Sequence, residues 1–241
     1  WKANGAGSSN SDGSITSTVS VNTTAGFSIV SFTGTAANAT VGHGLGVAPK
    51  VIITKSRVNA ENWGFYHEYL GNTKQVTLNT NGAATGASAA YYNNTSPTST
   101  VFSIGTADST NDNQNMIAYC FAEKTGYSKF GSYTANGSAD GNFIYTGFAP
   151  KFIILKRTDT NGYNWVLYDD KRNTYNPWTN LLLPNLTNTE ITSGGAIDFL
   201  SNGFKLRSAS GANPTTNQGT IIYMAFGQTI VGSNNIPATA R

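Results

Sequence analysis

The residues best suited to binding chemistry in this chain are aromatic side chains that stand next to amides in loops. Tyr91-Tyr92 is followed directly by Asn93, and Tyr175 and Trp178 lie in a second Asn-rich loop. An aromatic ring covers the apolar face of a sugar, while an amide donates and accepts hydrogen bonds at its hydroxyls. We therefore predict that all five residues bind a ligand, most simply a glycan. The alternative is that these rings cover a contact between subunits.

Catalytic chemistry is only weakly indicated. The 12 Asp and Glu residues stand mostly in turns, and no spacing pairs two of them as a glycosidase requires. His43 and His67 are the two histidines, and neither adjoins a nucleophile-elbow motif. Metal-ligand spacings are absent from the sequence. We expect a protein that is not an enzyme and uses no metal or cofactor, with a polysaccharide-degrading enzyme as the less favoured alternative.

The composition is typical of a β-rich extracellular or virion protein. Only 11% of the 241 residues are charged, and polarity comes instead from residues such as Asn (28) and Gly (26), which favour turns. The net charge of +3 is scattered along the chain, which argues against nucleic acid as a partner. No apolar run approaches the roughly 18 residues of a membrane span, so we expect no membrane insertion. The single cysteine, Cys120, is predicted to be a small buried residue.

The chain repeats itself after about one hundred residues. The motif at 46–55, GVAPKVIITK, returns at 147–156 as GFAPKFIILK, and Asn62–His67 corresponds to Asn164–Asp169. The offset grows from 100 at Gly26 and Gly126 to 105 near the end of each copy. A period of this length is the size of a domain. Residues that both copies keep are therefore expected to serve the fold, and residues found in one copy are better candidates for function.

Short strands separated by turn signals fill both copies. The segments at 27–32, 50–55, 63–66, 76–78, 101–104 and 116–121 are rich in β-branched and aromatic residues, as strands are. Their counterparts in the second copy begin at Phe130, Lys151, Trp165, Leu181, Phe204 and Ile221. We predict an all-β protein of two tandem, homologous β-sandwich domains, jelly-roll-like in type, with Trp63 and Trp165 in equivalent core positions.

The predicted domain boundaries follow from the repeat. Residues 1–25 form an N-terminal linker or strand arm, 26–124 the first sandwich, 125–230 the second, and 231–241 a loose C-terminal tail. The alternating stretch Ser14–Val21 is a marginal strand that we expect to add to a neighbouring sheet or to another chain. Because the chain begins at Trp1 within a motif, we expect it to be a fragment of a longer protein or a processed product.

Several strings carry a resemblance to a known group of proteins. DGSITSTVSVNTTAGFSIVSFTG, VGHGLGVAPKVIITKSR, IAYCFAEKTGYSKFGSYT, FIYTGFAPKFIILKRT and IDFLSNGFKLR occur in this order over nearly the whole chain. Together they resemble the C-terminal region of tail fibre or receptor-binding structural proteins of bacteriophages, marine ones especially. The resemblance departs at Ala225–Gln228, where Gly227-Gln228 replaces the Ala-Glu common in that family.

The resemblance implies a virion protein of the phage tail or particle surface. Its expected partners are itself, as a homo-oligomer with a trimer favoured, other virion proteins, and a glycan of the bacterial surface. A purely structural coat, decoration or filament subunit that assembles through its N-terminal strand is the alternative. No catalytic residue is carried over from the family.

Overall fold

The computed structural model describes residues 1–193, 195–209 and 219–228. Within these residues the protein is all-β, as predicted, with sixteen strands and two one-turn helices. Contacts divide the chain into two compact units. The first comprises Trp1–Leu78 and Ala84–Lys124, and the second comprises Asn79–Ala83 and the described residues from Thr125 onwards. The predicted tail at 231–241 lies outside the described residues.

The first unit contains nine strands in two antiparallel sheets. The bounds are β1 Ser8–Asn10, β2 Ser17–Asn22, β3 Phe27–Thr33, β4 Ala39–Gly42, β5 Val51–Ser56, β6 Gly64–His67, β7 Val76–Thr77, β8 Val101–Ile104 and β9 Asn115–Phe121. The larger sheet has the order β1-β2-β3-β9-β5-β6-β7, and β4 pairs with β8 in a separate sheet. Two helices, α1 Ala89–Tyr92 and α2 Asp108–Asn111, and a 3-10 turn at Glu68–Leu70 complete the unit.

The second unit contains seven strands, again in two antiparallel sheets. The bounds are β10 Ser128–Thr134, β11 Phe143–Tyr145, β12 Pro150–Arg157, β13 Val166–Asp169, β14 Ile197–Leu200, β15 Gly203–Leu206 and β16 Thr220–Gly227. Their orders are β10-β16-β12-β13 in one sheet and β11-β15-β14 in the other. The predicted strand at Leu181 is reduced to isolated bridges that Leu181 makes with Ile191 and Leu182 makes with Leu167.

In each unit the two sheets share one apolar core. In the first unit, Met116, Ala118 and Cys120 alternate along β9 and are buried against Phe102 and Ile104 of β8. Residues two apart on a strand point to the same side of the sheet, so this alternation places all three side chains on the core side. The core of the second unit likewise combines side chains of both sheets, among them Ile153, Leu155, Ile197, Phe204, Leu206, Ile221 and Tyr223.

The N-terminal residues belong to the first unit instead of forming a linker. β2 pairs with β3 from Thr18 opposite Ser31 to Asn22 opposite Phe27. β1 in turn pairs with β2. The predicted arm at 1–25 therefore adds to a sheet of its own chain, because β3 would otherwise present an open edge to solvent.

The pairing registers refine the internal alignment of the copies. Phe27 lies opposite Phe121 in the first unit, and Ser128 lies opposite Phe226 in the second. Phe121 and Phe226 are equivalent, so Phe27 corresponds to Ser128 with an offset of 101, where the sequence alignment placed 100. Of the two equivalent tryptophans, Trp165 is fully buried and Trp63 is half-buried.

A buried lysine stands at the end of β12. Lys156 is 1% exposed, and its Nζ donates to the carbonyl oxygen of Tyr163 at 2.6 Å and to that of Asn81, in the same unit, at 3.4 Å. Desolvation lowers the pKa of Lys156 to about 8, against a smaller opposing effect of Asp159. The protonated form is therefore disfavoured in the folded protein compared with the unfolded chain.

We predict that K156M removes a pH dependence of stability. Between the folded pKa of about 8 and the ordinary value of 10.5, the unfolded chain binds the Lys156 proton and the folded protein releases it. The free energy of unfolding of the wild type should therefore rise with pH relative to K156M, by about 2 kcal/mol from roughly pH 7.5 to 9.5. Urea unfolding, followed by hydrogen exchange in peptides that contain β12, measures the free energy of unfolding of both proteins at each pH. If the free energies of the wild type and K156M change in parallel with pH, the prediction is contradicted.

Candidate functional site

An open groove in the second unit contains two of the predicted binding residues. Its cavity volume is about 300 Å³. The lining residues are Ala149, Pro150, Lys151, Asp170, Tyr175, Asn176, Trp178, Phe199, Leu200 and Ser201. They come from the start of β12, the loop after β13, and the hairpin formed by β14 and β15.

The apolar wall of the groove is a stacked aromatic pair. The rings of Trp178 and Phe199 lie 5.2 Å apart, centroid to centroid, and are inclined by 26°. Trp178 also exchanges two backbone hydrogen bonds with Ile197, its N–H donating at 2.7 Å and its carbonyl accepting at 3.1 Å. Because Trp178 is fixed by backbone bonds as well as by core packing, this wall is rigid.

An asparagine amide holds the loop to the free edge of β14. The side-chain Nδ2 of Asn176 donates to the carbonyl of Phe199, and its Oδ1 accepts from the N–H of Phe199, both at 2.9 Å. The amide thereby imitates one residue of a neighbouring strand. This pair of bonds sets the position of Asn176 beside Phe199.

The base of the same loop is held by polar side chains. Oδ1 of Asn173 accepts from the N–H groups of Thr179 and Asn180 at 3.2 and 3.0 Å. Arg172 donates to Asp169 at 2.7 Å and to Glu190. The hydrogen bond to Glu190 contributes most to raising the pKa of Arg172, so the guanidinium stays charged. The groove is therefore built on a loop with several fixed points.

A lysine and an aspartate form the polar end of the groove. Lys151 Nζ lies 2.9 Å from Asp170 Oδ2, and Lys171 Nζ lies 3.8 Å from the same oxygen. Lys151 stands at an irregularity in the pairing of β12 with β16, between Pro150 and Phe152. A bulge of this kind redirects a side chain.

The internal repeat distinguishes residues of this site that both copies keep from residues that occur in the second copy alone. The first unit has the equivalent ion pair, Lys50 with Glu68. A pair that both copies keep serves the fold. The aromatic residues Tyr175, Trp178 and Phe199 belong to the second copy alone, and Tyr175 is 79% exposed at the groove. The aromatic side of the groove is therefore the part that the first unit lacks, and it is the better candidate for function.

The arrangement combines an apolar wall, an exposed ring and nearby polar groups. Such a surface covers the C–H face of a ring-shaped polar ligand and leaves its hydroxyls to hydrogen-bonding groups. Asp170 is the one carboxylate among the lining residues. A pair of opposed carboxylates, as glycoside hydrolysis requires, is therefore not formed by these lining residues.

The first-copy residues Tyr91, Tyr92 and Asn93 do not form an exposed aromatic surface, contrary to the expectation. Tyr92 is 4% exposed and packs edge-on against Tyr66, with the ring centroids 5.1 Å apart. Tyr91 is half-buried against the same core, and Asn93 is an exposed, left-handed C-cap of α1. Tyr92 is buried because α1 turns it inward. The N–H of Gly105 donates to Tyr91, and the N–H of Arg207, which follows the matching strand, donates to Ala196, so Tyr92 corresponds to the core residue Ile197 of the second unit.

Trp178, which the sequence predicts as a ligand-binding ring, is 7% exposed and belongs to the core. Sequence reasoning also missed Phe199, Lys151, Asp170 and Ser201 as lining residues. The signal available in the sequence was the turn Ser201-Asn202, which directly follows the apolar residues Phe199 and Leu200.

Among the residues that the structure describes, no three His, Cys, Asp or Glu side chains lie close enough together to hold a metal ion. His43 is buried, and desolvation lowers its pKa. The Nδ1 of His43 accepts a hydrogen bond from the N–H of Leu45, so the imidazole stabilises a turn. Among the same described residues, none of the helices is long and apolar enough to span a membrane.

The fold and the groove together define an all-β protein with an aromatic-walled surface cavity. The chain belongs to the family described as "Domain of unknown function (DUF7483)", whose model matches residues 1–229. Neither a curated protein nor a solved structure matches the chain.

We predict that Y92F does not destabilise the protein. The buried Tyr92 hydroxyl has no hydrogen-bond partner among the described residues, so its removal should raise the free energy of unfolding by about 1 kcal/mol. The control is Y66F, because the hydroxyl of Tyr66 is hydrogen-bonded to Ser96 and its loss should cost about 1 kcal/mol. Chemical denaturation measures both, and a Y92F loss equal to that of Y66F would contradict the assignment.

We predict opposite outcomes for the two aromatic residues of the loop. W178A should destabilise the protein by roughly 3–5 kcal/mol, because it leaves a cavity in the core beside Phe199. Y175A should change stability by no more than about 0.5 kcal/mol, because the ring is exposed. Thermal unfolding of both variants checks the pair, and equal stabilities would contradict the burial of Trp178.

Proposed function

We propose that this protein is a non-enzymatic virion component, a module of a bacteriophage tail fibre or appendage that binds a glycan of the host surface. The observation that carries the binding function is the groove with its Trp178–Phe199 wall and the exposed ring of Tyr175. Assignment to a phage appendage rests on the sequence resemblance, together with the low charge and the Asn-rich loops.

An exposed aromatic ring beside an apolar wall favours a sugar over a purely apolar ligand. Tyr175 presents a face for stacking, while its hydroxyl, Ser201 and the ammonium of Lys151 offer hydrogen bonds nearby. A sugar ring presents both an apolar face and several hydroxyls, and the groove offers a partner for each.

Two observations weigh against the alternatives. The enzyme alternative requires two carboxylates across a cleft, and the groove is lined by one, Asp170, which is paired with Lys151. The filament alternative relied on an N-terminal strand that pairs with a neighbouring subunit. That strand, β2, is paired with β3 of its own unit.

We further propose that the two units are homologous β-sandwiches derived by duplication. Each has a sheet in which the last strand lies between the first and third strands of its copy, and a smaller second sheet that shares its core. Superposition of experimentally determined coordinates of the two units tests this proposal, with β3, β5 and β9 expected on β10, β12 and β16.

The binding proposal is tested with Y175A on immobilised bacterial lipopolysaccharides and capsular polysaccharides. The wild type should bind at least one of them, and Y175A should weaken that binding about tenfold, because the exposed ring supplies the stacking face. The matched control is Y69A, which removes the exposed ring of Tyr69 from the first unit and should leave binding unchanged.

Three results would contradict the proposal. The first is no binding of the wild type to any of these polysaccharides or to intact host cells. The second is equal binding by Y175A and the wild type. The third is release of reducing ends from a bound polysaccharide, which would indicate an enzyme.

A further inference from the structure

An edge strand that is covered in the first unit is open in the second. β4 in the first unit and β11 in the second are equivalent edge strands, paired on one side with β8 and β15. His43 N–H donates to Thr100, and the equivalent Thr146 N–H donates to Asn202. Antiparallel hydrogen-bonded pairs alternate along a strand. The backbone groups of Thr40 and Gly42, and of Phe143 and Tyr145, therefore face away from the neighbouring strand.

In the first unit this outer edge is covered by the chain's own N-terminal segment. The N–H of Ile15 donates to the carbonyl of Thr40 at 3.0 Å, and Ser14 Oγ accepts from the N–H of Thr40 at 2.9 Å. Ser17 Oγ donates to the carbonyl of Gly42 at 3.0 Å. An extended segment thus covers the edge of β4, with a parallel bridge between Ile15 and Val41.

In the second unit the equivalent edge is open within the described residues. The backbone N–H and C=O groups of Phe143 and Tyr145 make no hydrogen bond there. Their side chains are 49% and 65% exposed, while Ile144 between them is buried in the core. Proteins usually protect an open edge with charge, proline or a bulge, and an exposed apolar edge is a site of strand pairing.

The residue types follow the same division. The covered edge carries the polar Thr40 and the side-chain-free Gly42, whereas the open edge carries two aromatic rings at the equivalent positions. We propose that β11 pairs antiparallel with β11 of a second copy of this chain, joining the three-stranded sheets of two copies into one continuous sheet.

The register of this pairing follows from which groups are open. A two-fold axis through Ile144 places Phe143 of one copy opposite Tyr145 of the other, and the reverse on the other side. All the open N–H and C=O groups of both residues are then hydrogen-bonded. Each Phe143 also meets a Tyr145 ring as a directly opposed cross-strand pair, which is a favourable aromatic contact. The strand is self-complementary, so a second copy is the occupant that fits it.

Sedimentation velocity of the full chain, from micromolar to submillimolar concentration, tests the proposal. The wild type should show a monomer–dimer equilibrium, and F143K and Y145E should each weaken the dimer at least about tenfold. Each of these places a charge opposite an aromatic ring. The double variant F143K/Y145E should associate more tightly than either single variant, because both pairs then oppose an ammonium to a carboxylate.

The control for charge alone is Y175K, which alters an even more exposed ring outside β11 and should leave the dimer unchanged. Circular dichroism should show that all variants fold, since the replaced side chains face solvent in the single chain. A wild type that stays monomeric would overturn the proposal. A trimer would also overturn it, since a two-fold pairing closes at two chains. Failure of the double variant to regain association would exclude the register through Ile144.

Discussion

The fold of each unit depends on its last strand lying between the first and third strands of the copy. β9 lies between β3 and β5, and β16 lies between β10 and β12. In β16 the residues from Ile221 to Phe226 are all buried, so both faces of this strand are covered. Because the partners of the central strand are distant in sequence, each sheet can form completely only after the last strand of its copy, β9 or β16, has paired.

The groove is positioned by the same architecture. β12, which carries Lys151, is held by β16, and β14, which carries Phe199, is held by the hairpin with β15. The loop between β13 and β14 then has to satisfy the outer edge of β14. It does so with the Asn176 amide and the Trp178 backbone, and that requirement brings Tyr175 to the rim. The need to hydrogen-bond the backbone groups at the outer edge of β14 thus sets the position of the aromatic surface.

The internal sequence repeat provides a comparison of what the scaffold requires. The Lys50–Glu68 and Lys151–Asp170 ion pairs recur in equivalent positions. Other positions diverge. A short helix, α1, stands in the first unit where β14 stands in the second, and the edge strand covered in the first unit is open in the second. The shared features build the sheets, and the divergent ones lie at their edges, where new surfaces arise without disturbing either core.

The sequence by itself determined the fold class, most strand positions and the repeat, because β-branched and aromatic runs between turn residues are local signals. The burial of Cys120 and of Trp165 also followed from the repeated apolar pattern. The tertiary structure decided which loop rings face solvent. Tyr92 stands in an Asn-rich stretch like that of Tyr175, and Trp178 lies in the same loop as Tyr175, yet both are buried against distant residues, Tyr66 and Phe199. Local composition is the same for an inward and an outward ring, and only long-range packing distinguishes them.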